Sequence, residues 1–357
     1  MSVEEELLVR IVIVGLGRMG LSHAAVLRHV PQAEVVALVD GDASLGKVVR
    51  SMGLHLPFYR STDEAVRNEK LDAAFVCTPT HAHLPVTQTL IGAGIDVFVE
   101  KPLCHSVVAS QKLAELARRQ DIVHGVGYTL SHNRAFEMAK TLLQAGAIGP
   151  IRDYQATVFH SEVLRPRRGW LFDPAKSGGG VVMNIVSHMV YFVSHCFGLP
   201  QTVSANAKSV YSPLVEDEAL ISFGHHSGIA GEIQASWSVP GKPILELGLS
   251  VRGEFGTLAV NRQQIDMRLD KAWDTYSAGS HRIHASSIPS SARYDFSPEY
   301  DGEAYYAEDL DFIKCCVSRV PYAVSFDTAR KVEEIVAAIY ESSRSGAEIE
   351  LPGGEPL

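Results

Sequence analysis

The sequence predicts an α/β domain with a parallel sheet in its first third, followed by an α+β domain on an open, mostly antiparallel sheet. Three observations predict it. Apolar, branched strands such as Leu7 to Val14 and Ala73 to Cys77 alternate with helices as far as Val126, as strands buried on both faces of a parallel sheet require. After Gln201, short strands punctuated by Gly and Pro recur at intervals of about 10 residues. A length of 357 residues exceeds what one core usually fills, so two domains are expected, residues 1–126 and 127–357, with the last helix able to pack back on the first.

Composition narrows the function. Hydrophobic residues make up 46% and charged residues 20%, as in a soluble globular protein, and the formal net charge of -9 argues against a nucleic-acid binder. Glu4, Glu5 and Glu6 stand where a signal peptide would be positive, and no apolar run reaches membrane-spanning length, so a cytoplasmic protein is expected. Cys77, Cys104, Cys196, Cys315 and Cys316 are scattered, odd in number and without C-x-x-C spacing. They read as reduced thiols.

The first strand runs directly into Gly15-Leu16-Gly17-Arg18-Met19-Gly20. A G-x-G-x-x-G placed between a strand and a helix supplies a tight turn at Gly15, backbone approach to a pyrophosphate at Gly17 and close helix packing at Gly20. The helix from about Met19 to Val30 then points its amides at phosphates. A second strand, Glu34 to Val39, ends in Asp40, placed to accept hydrogen bonds from ribose hydroxyls. That spacing favours NAD; NADP would want a cation beside its 2′-phosphate, and Gly41, Asp42 and Ala43 provide none. The bland alternative is a structural glycine turn.

Further strand ends carry Thr78-Pro79, which either borders the cofactor or merely stops a strand, and Glu100-Lys101-Pro102. Ligands of open α/β sheets bind outside the carboxyl ends of strands, which places Lys101 at the site. His81 and His83 lack a third ligand at useful spacing, so no metal is expected and they read as surface helix-start histidines. Helices follow at Thr62 to Asn68, Leu84 to Ala93 and Val107 to Gln120.

After Tyr128 the pattern becomes a helix at Arg134 to Ala145, an alternating strand at Ile151 to His160, and strands near Gln201 to Val210, Ala219 to Phe223, Ile229 to Trp237, Ile244 to Val251 and Thr257 to Val260. Ser277 to Pro298 reads as a loop or flap. Helices at Ala304 to Ser318 and Asp327 to Ser343 close the chain. The stretch Ser177-Gly-Gly-Gly-Val-Val-Met-Asn184-Ile-Val-Ser-His188 combines backbone freedom with two polar residues four apart, on one helix face. Alternatively, His188 is a satisfied helix histidine, and His195 with Cys196 reads as core or interface.

In order and spacing, Gly15-x-Gly-x-x-Gly20, Asp40, Cys77-Thr-Pro-x-x-x-His83 and Glu100-Lys-Pro102 resemble the glucose-fructose oxidoreductase / inositol dehydrogenase (Gfo/Idh/MocA) family, over nearly the whole chain. The resemblance implies a Rossmann domain paired with an α+β domain, with NAD as cofactor (NADP being the less favoured), and a dehydrogenase acting on the CH-OH groups of a sugar or cyclitol. It places the lysine matching Lys101 between nicotinamide and substrate hydroxyl, and implies a homodimer or homotetramer. Gly-Gly-x-x-x-Asp-x-x-x-His supplies that family's catalytic aspartate and histidine; here His188 matches and Asn184 replaces the aspartate.

An amide can orient an imidazole or bind a hydroxyl but cannot act as a base. The expected roles are therefore His188 as acid/base, Lys101 as alkoxide stabiliser and relay, and Asn184 as orienter. Cofactor contacts are expected from Gly15, Gly17, Arg18, Met19, Gly20, Asp40, Thr78, Pro79, His83, Glu100 and Lys101. Substrate contacts are expected from Tyr128, His160, Arg168, Trp170 and Asn184, with Arg165, Arg167 and Arg168 either gripping an anionic group or forming a solvated loop. Two other readings stay open: an NAD-binding regulator without turnover, which Asn184 keeps alive, and an oxidoreductase of a non-carbohydrate substrate.

Overall fold

In the computed structural model, residues 8–51, 53–164, 169–290, 302–352 and 357 are described. The chain divides into two compact units, residues 1–128 with 305–330, and residues 129–304 with 331–357. The sequence reading had placed 305–330 with the second domain; by their contacts they belong to the first unit.

The first unit begins with β1 (Val9–Val14), α1 (Arg18–Leu27), β2 (Ala33–Val39), α2 (Ala43–Ser51), β3 (Phe58–Tyr59), α3 (Thr62–Asn68) and β4 (Ala73–Val76). It continues through α4 (His83–Gly92), β5 (Asp96–Glu100), α5 (Val107–Arg118) and β6 (His124–Gly127). Six parallel strands stand in the order β3-β2-β1-β4-β5-β6. This is the doubly wound arrangement in which the order reverses beside β1, placing the ligand crevice at the carboxyl ends of β1 and β4. The strands β4 and β5 are buried at every position, which their Val, Phe and Ala content permits. Helix α2 had not been anticipated from the sequence.

The second unit holds α6 (Arg134–Gln144), β7 (Ile151–Phe159), α7 (Pro174–Ser177), a π-helical turn at Val182–Val186 and α8 (Ser187–Phe197). Then come β8 (Pro200–Lys208), β9 (Glu218–His225), β10 (Ala230–Ser236), β11 (Glu246–Gly253), β12 (Gly256–Asn261), β13 (Gln264–Leu269) and β14 (Gly279–His284). Helices α9 (Gly302–Ser318) and α10 (Phe326–Ser345) and the short β15 (Ile349–Glu350) complete the chain. Nine strands stand in the order β14-β13-β12-β11-β7-β10-β9-β8-β15. All pairs are antiparallel except β7 with β10. Tyr154, Ala156 and Val158 of β7 are buried while their neighbours are more exposed. The ring of Tyr154 stacks on Phe197 of α8, and Phe192 of α8 meets Phe136 of α6 edge to face, so one face of the sheet is helix-covered.

The expected flap at 277–298 is in part a strand. β14 pairs with β13 along its length, and the chain then turns at Ala285–Ser287; residues 291–298 lie outside the described residues. The alternation was hidden because β14, Gly-Ser-His-Arg-Ile-His, is an edge strand with no position fully buried. β13 was likewise not anticipated.

Segment 305–330 finishes the core of the first unit. Phe312 packs edge-on against Phe75 and Phe98 at ring separations of 5.5 and 5.4 Å. Val126 N donates to Val324 O at 3.0 Å, and Tyr322 occupies the space that a side chain at Gly125 would need. Arg319 pairs with Asp96 and Arg118 with Asp327. The run Pro174–Phe197 has the length and apolarity to cross a bilayer, but its most apolar 18-residue stretch is 78% buried within the protein, as in core helices.

Candidate functional site

In the first unit, the turn between β1 and α1 is built by glycine. Gly15 has φ +93° and lies so close to Cys77 and Thr78 that a Cβ would stand 2.7 Å from their backbone. A Cβ on Gly20 would collide with Gly15 O at 1.8 Å, so the third glycine permits the close crossing of helix and loop. A Cβ on Gly17 would meet no protein atom within 4 Å. Arg18 is exposed and Met19 half-buried beside it. Thr78 Oγ1 is buried with no hydrogen-bond partner among the described residues. An approachable backbone at Gly17 and an orphaned hydroxyl at the adjacent strand end fit a dinucleotide.

Asp40 holds this loop. Leu16 N donates to Asp40 Oδ2 and Asp42 N to Oδ1, each at 2.8 Å. Each oxygen keeps acceptor capacity for a ligand hydroxyl, so Asp40 shapes the glycine loop as well as standing at the ribose position. No cation follows Asp40 in the sequence, but the fold brings one: the Arg60 guanidinium donates to Gly41 O and helps hold the Asp42 carboxyl below its usual range, after the Ser44 hydrogen bonds.

His83 packs between the turns after β4 and β5. The expectation of a surface histidine is corrected: His83 is 1% exposed. Its Nε2 lies 2.9 Å from Thr78 O, and its Nδ1 lies 3.0 and 3.2 Å from Pro102 O and Leu103 O. Burial holds the ring below its usual pKa despite these carbonyls. Pro79 opens the short turn that carries His83, and the Lys101–Pro102 peptide is cis. Lys101 is half-buried, and burial lowers its ammonium to about 8, reinforced by Arg18 and opposed by Glu100. An amine that titrates near neutrality can both stabilise an alkoxide and exchange a proton.

In the second unit, the glycine run leads into the π-helical turn. Gly178 caps α7 at φ +80°. A side chain at Gly179 would strike Tyr340 Oη, and one at Gly180 would strike Glu216 O, each at 1.9 Å. Glu216 Oε1 accepts from Gly180 N (2.8 Å), Val182 N (3.1 Å) and Tyr340 Oη (2.7 Å). Burial pushes the Glu216 carboxyl above its usual range in spite of these donors. π-helical turns occur frequently at functional sites. Through residues 181–194 every side chain is buried except Asn184 and His188, which are half-exposed. Asn184 and His188, expected to share a face, are thus the accessible positions of an otherwise buried stretch.

Other expected contacts have different surroundings. Tyr128 is fully buried. His160 is held by Glu162 (3.1 Å) and Pro243 O (3.0 Å), and Trp170 sits half-buried in the turn Trp170–Phe172. Arg165, Arg167 and Arg168 lie outside the described residues. Sequence reasoning did not find Glu216 and Tyr340, which meet across 124 residues of chain. None of the five cysteines forms a disulfide.

The chain matches two family models: an oxidoreductase-family NAD-binding Rossmann fold over residues 9–128 and a GFO/IDH/MocA C-terminal domain over residues 136–259. It is 25% identical to scyllo-inositol 2-dehydrogenase (NAD(+)) of Bacillus subtilis (strain 168), over 96% of both chains. Among solved structures, it is similar to an oxidoreductase domain protein from Kribbella flavida (TM-score 0.89, 21% identity, 97% and 100% of the chains covered). It is also similar to a levoglucosan dehydrogenase in complex with NADH (TM-score 0.87, 20% identity, 97% and 100% covered).

Proposed function

Because the chain belongs to the GFO/IDH/MocA oxidoreductase family, we propose that it is an NAD-dependent dehydrogenase acting on a secondary alcohol of a sugar, sugar derivative or cyclitol. The observation that carries this reading is Lys101, an amine lowered to about 8 at the carboxyl end of a central parallel strand. The inositol and levoglucosan dehydrogenases among the similar proteins support the substrate class.

Gly15, Gly17, Gly20, Asp40, Thr78 and Pro79 would hold the cofactor, with Arg18, Met19, His83 and Glu100 completing its surroundings. A nicotinamide bound there would supply the hydride acceptor or donor. Lys101 stabilises the developing alkoxide and relays its proton. His188 serves as acid/base, and Asn184 orients its ring or the substrate hydroxyl, since an amide has no basic site. His160, Trp170, Arg168 and Tyr128 remain the proposed substrate contacts, of which the fully buried Tyr128 acts by shaping the site. Asp40 disfavours a 2′-phosphate by charge repulsion, which supports NAD over NADP; Arg60 is the residue that would take the opposite part. A homodimer or homotetramer is proposed from the family likeness.

Enhanced NADH fluorescence on binding, followed by NAD reduction with a panel of sugars, sugar phosphates and cyclitols, tests the proposal. NAD binding with no NADH formed from any member would favour a second reading, a cofactor-binding regulator, which rests on Asn184 standing in place of a carboxylate. Preference for NADP would overturn the role given to Asp40.

A further inference from the structure

Behind Lys101, the first unit buries three ionisable side chains from three separate elements. His23 of α1 and Asp309 of α9 are 0% exposed, and Glu100 of β5 is 7% exposed. His23 Nδ1 lies 2.8 and 3.1 Å from the Asp309 carboxylate oxygens, and its Nε2 lies 3.1 Å from Glu100 Oε1. Ionised carboxylates only accept hydrogen bonds, so a ring with carboxylates at both nitrogens is satisfied only as the two-donor imidazolium. Phe75, Phe98 and Tyr305 enclose it at ring separations of 5.3, 5.5 and 5.7 Å.

Charges placed in such a dry setting must balance. Burial opposes the imidazolium, yet Asp309 and Glu100 together hold His23 well above its usual range. Burial likewise favours a neutral Glu100, and it is His23 first, then Lys101 and His83, that keep the carboxyl low. Also facing the cluster are the Cys77 thiol, kept protonated by burial and by Glu100 and Asp309, and Arg18, which faces Lys101. Glu100 Oε2 also accepts from Lys101 N at 3.2 Å. Continuous contacts thus run from Asp309 through His23 and Glu100 to the backbone of Lys101, whose ammonium feels the Glu100 charge through space.

We propose that His23 is a positioning residue for Lys101: clamped between Asp309 and Glu100, it holds Glu100 as an anion and thereby fixes the charge state of the lysine, which under the proposed function meets the reacting hydroxyl. The part of that role that reaches Lys101 is the Nε2 contact with Glu100. Asparagine matches the reach of Nδ1 toward Asp309 but not that of Nε2 toward Glu100, whereas glutamine reaches Glu100.

The test follows Lys101 directly, by 15N NMR titration of the full-length protein labelled at lysine Nζ, with its signal assigned by loss in Lys101→Met. Glu100→Gln removes the neighbouring anion and should lower the Lys101 midpoint by about one pH unit, the usual reach of a close opposite charge. His23→Asn should lower it by a similar amount, because Glu100 loses its donor and takes up a proton; His23→Gln should restore most of the wild-type midpoint. If His23→Asn does not fold, Asp309→Asn is the substitute, expected to move the midpoint in the same direction by less. A midpoint that stays put or rises in His23→Asn, while Glu100→Gln lowers it, overturns the inference. So does an unmoved midpoint in Glu100→Gln. Turnover is read separately: absent turnover in the wild type with a lowered midpoint in the variants defeats the dehydrogenase reading and leaves the coupling standing.

Discussion

His83 Nε2 lies 2.9 Å from Thr78 O while Nδ1 of the same ring lies 3.0 Å from Pro102 O. One buried ring therefore packs between the turn after β4 and the turn after β5, its N–H donating to one of them, and the second of these carries Lys101. His83→Ala should leave one of these turns without its donor and cost roughly 1–3 kcal/mol in stability. Urea unfolding and an NADH titration check it, with weaker NADH binding expected because the Thr78 turn is released. Unchanged values in both would show that the two turns are held by other means.

Lys101→Ala should abolish turnover yet leave NAD affinity within roughly tenfold, as expected when only transition-state stabilisation is lost. The wild-type rate of carbonyl reduction should fall as the pH rises through about 8, where the ammonium discharges. Arginine does not discharge in this range. Any activity left in Lys101→Arg should lack that limb, and a limb retained near pH 8 would assign it to another group.

Asn184→Asp places a carboxylate at one of the two accessible positions of the stretch that also carries His188. A nearby anion favours the imidazolium. If the two residues act together, the limb of the kcat/KM profile belonging to His188 should move upward by about one pH unit. A profile unchanged in shape and position would separate Asn184 from His188.

Gly180→Ala drives a methyl into Glu216 O, 1.9 Å away by geometry. Its neighbour is backbone and cannot swing aside, so a loss of roughly 1–3 kcal/mol or more is expected. Tyr340→Phe removes a donor from Glu216 Oε1 and an acceptor from Met183 N, for about 1 kcal/mol. Thermal melts of both variants, with NAD affinity as a control for the first unit, read these effects.

Burial lowers His225 to about 4, and its Nε2 meets Tyr154 Oη at 3.0 Å. A histidine depressed in the folded state contributes stability above its unfolded value near 6.5 and loses it as the pH falls toward the folded one. Between pH 6.5 and 4 the chain should lose up to about 3 kcal/mol through this residue. His225→Gln should flatten that part of the stability–pH curve, measured by urea unfolding at several pH values.

What the sequence made legible was set by local backbone demands. The turn at Gly15, the crossing at Gly20 and the strand-end positions of Asp40 and Lys101 follow from spacing within one βα unit. Pairings made through the fold were hidden: His23 and Asp309 are 286 residues apart, and Arg60 reaches Gly41 from just past the end of β3. His83 has the spacing of a helix-start surface residue, and only the convergence of three carbonyls explains why it is tolerated inside. The π-helical turn at Val182–Val186 has no periodic signature of its own, and its anchors, Glu216 and Tyr340, arrive from β-loop and helix sequences that carry no motif.

The return of residues 305–330 to the first unit has a consequence for biosynthesis. Tyr322, Phe312 and the Val324 carbonyl fill or pair positions that residues 1–128 cannot satisfy alone. The nucleotide-binding half emerges from the ribosome first, but its core closes only after the intervening 129–304 have been made. At roughly 5–20 residues per second that is a wait on the order of 10–35 s. Throughout it, the aromatic face of Phe75 and Phe98 is open to chaperones and to other nascent chains.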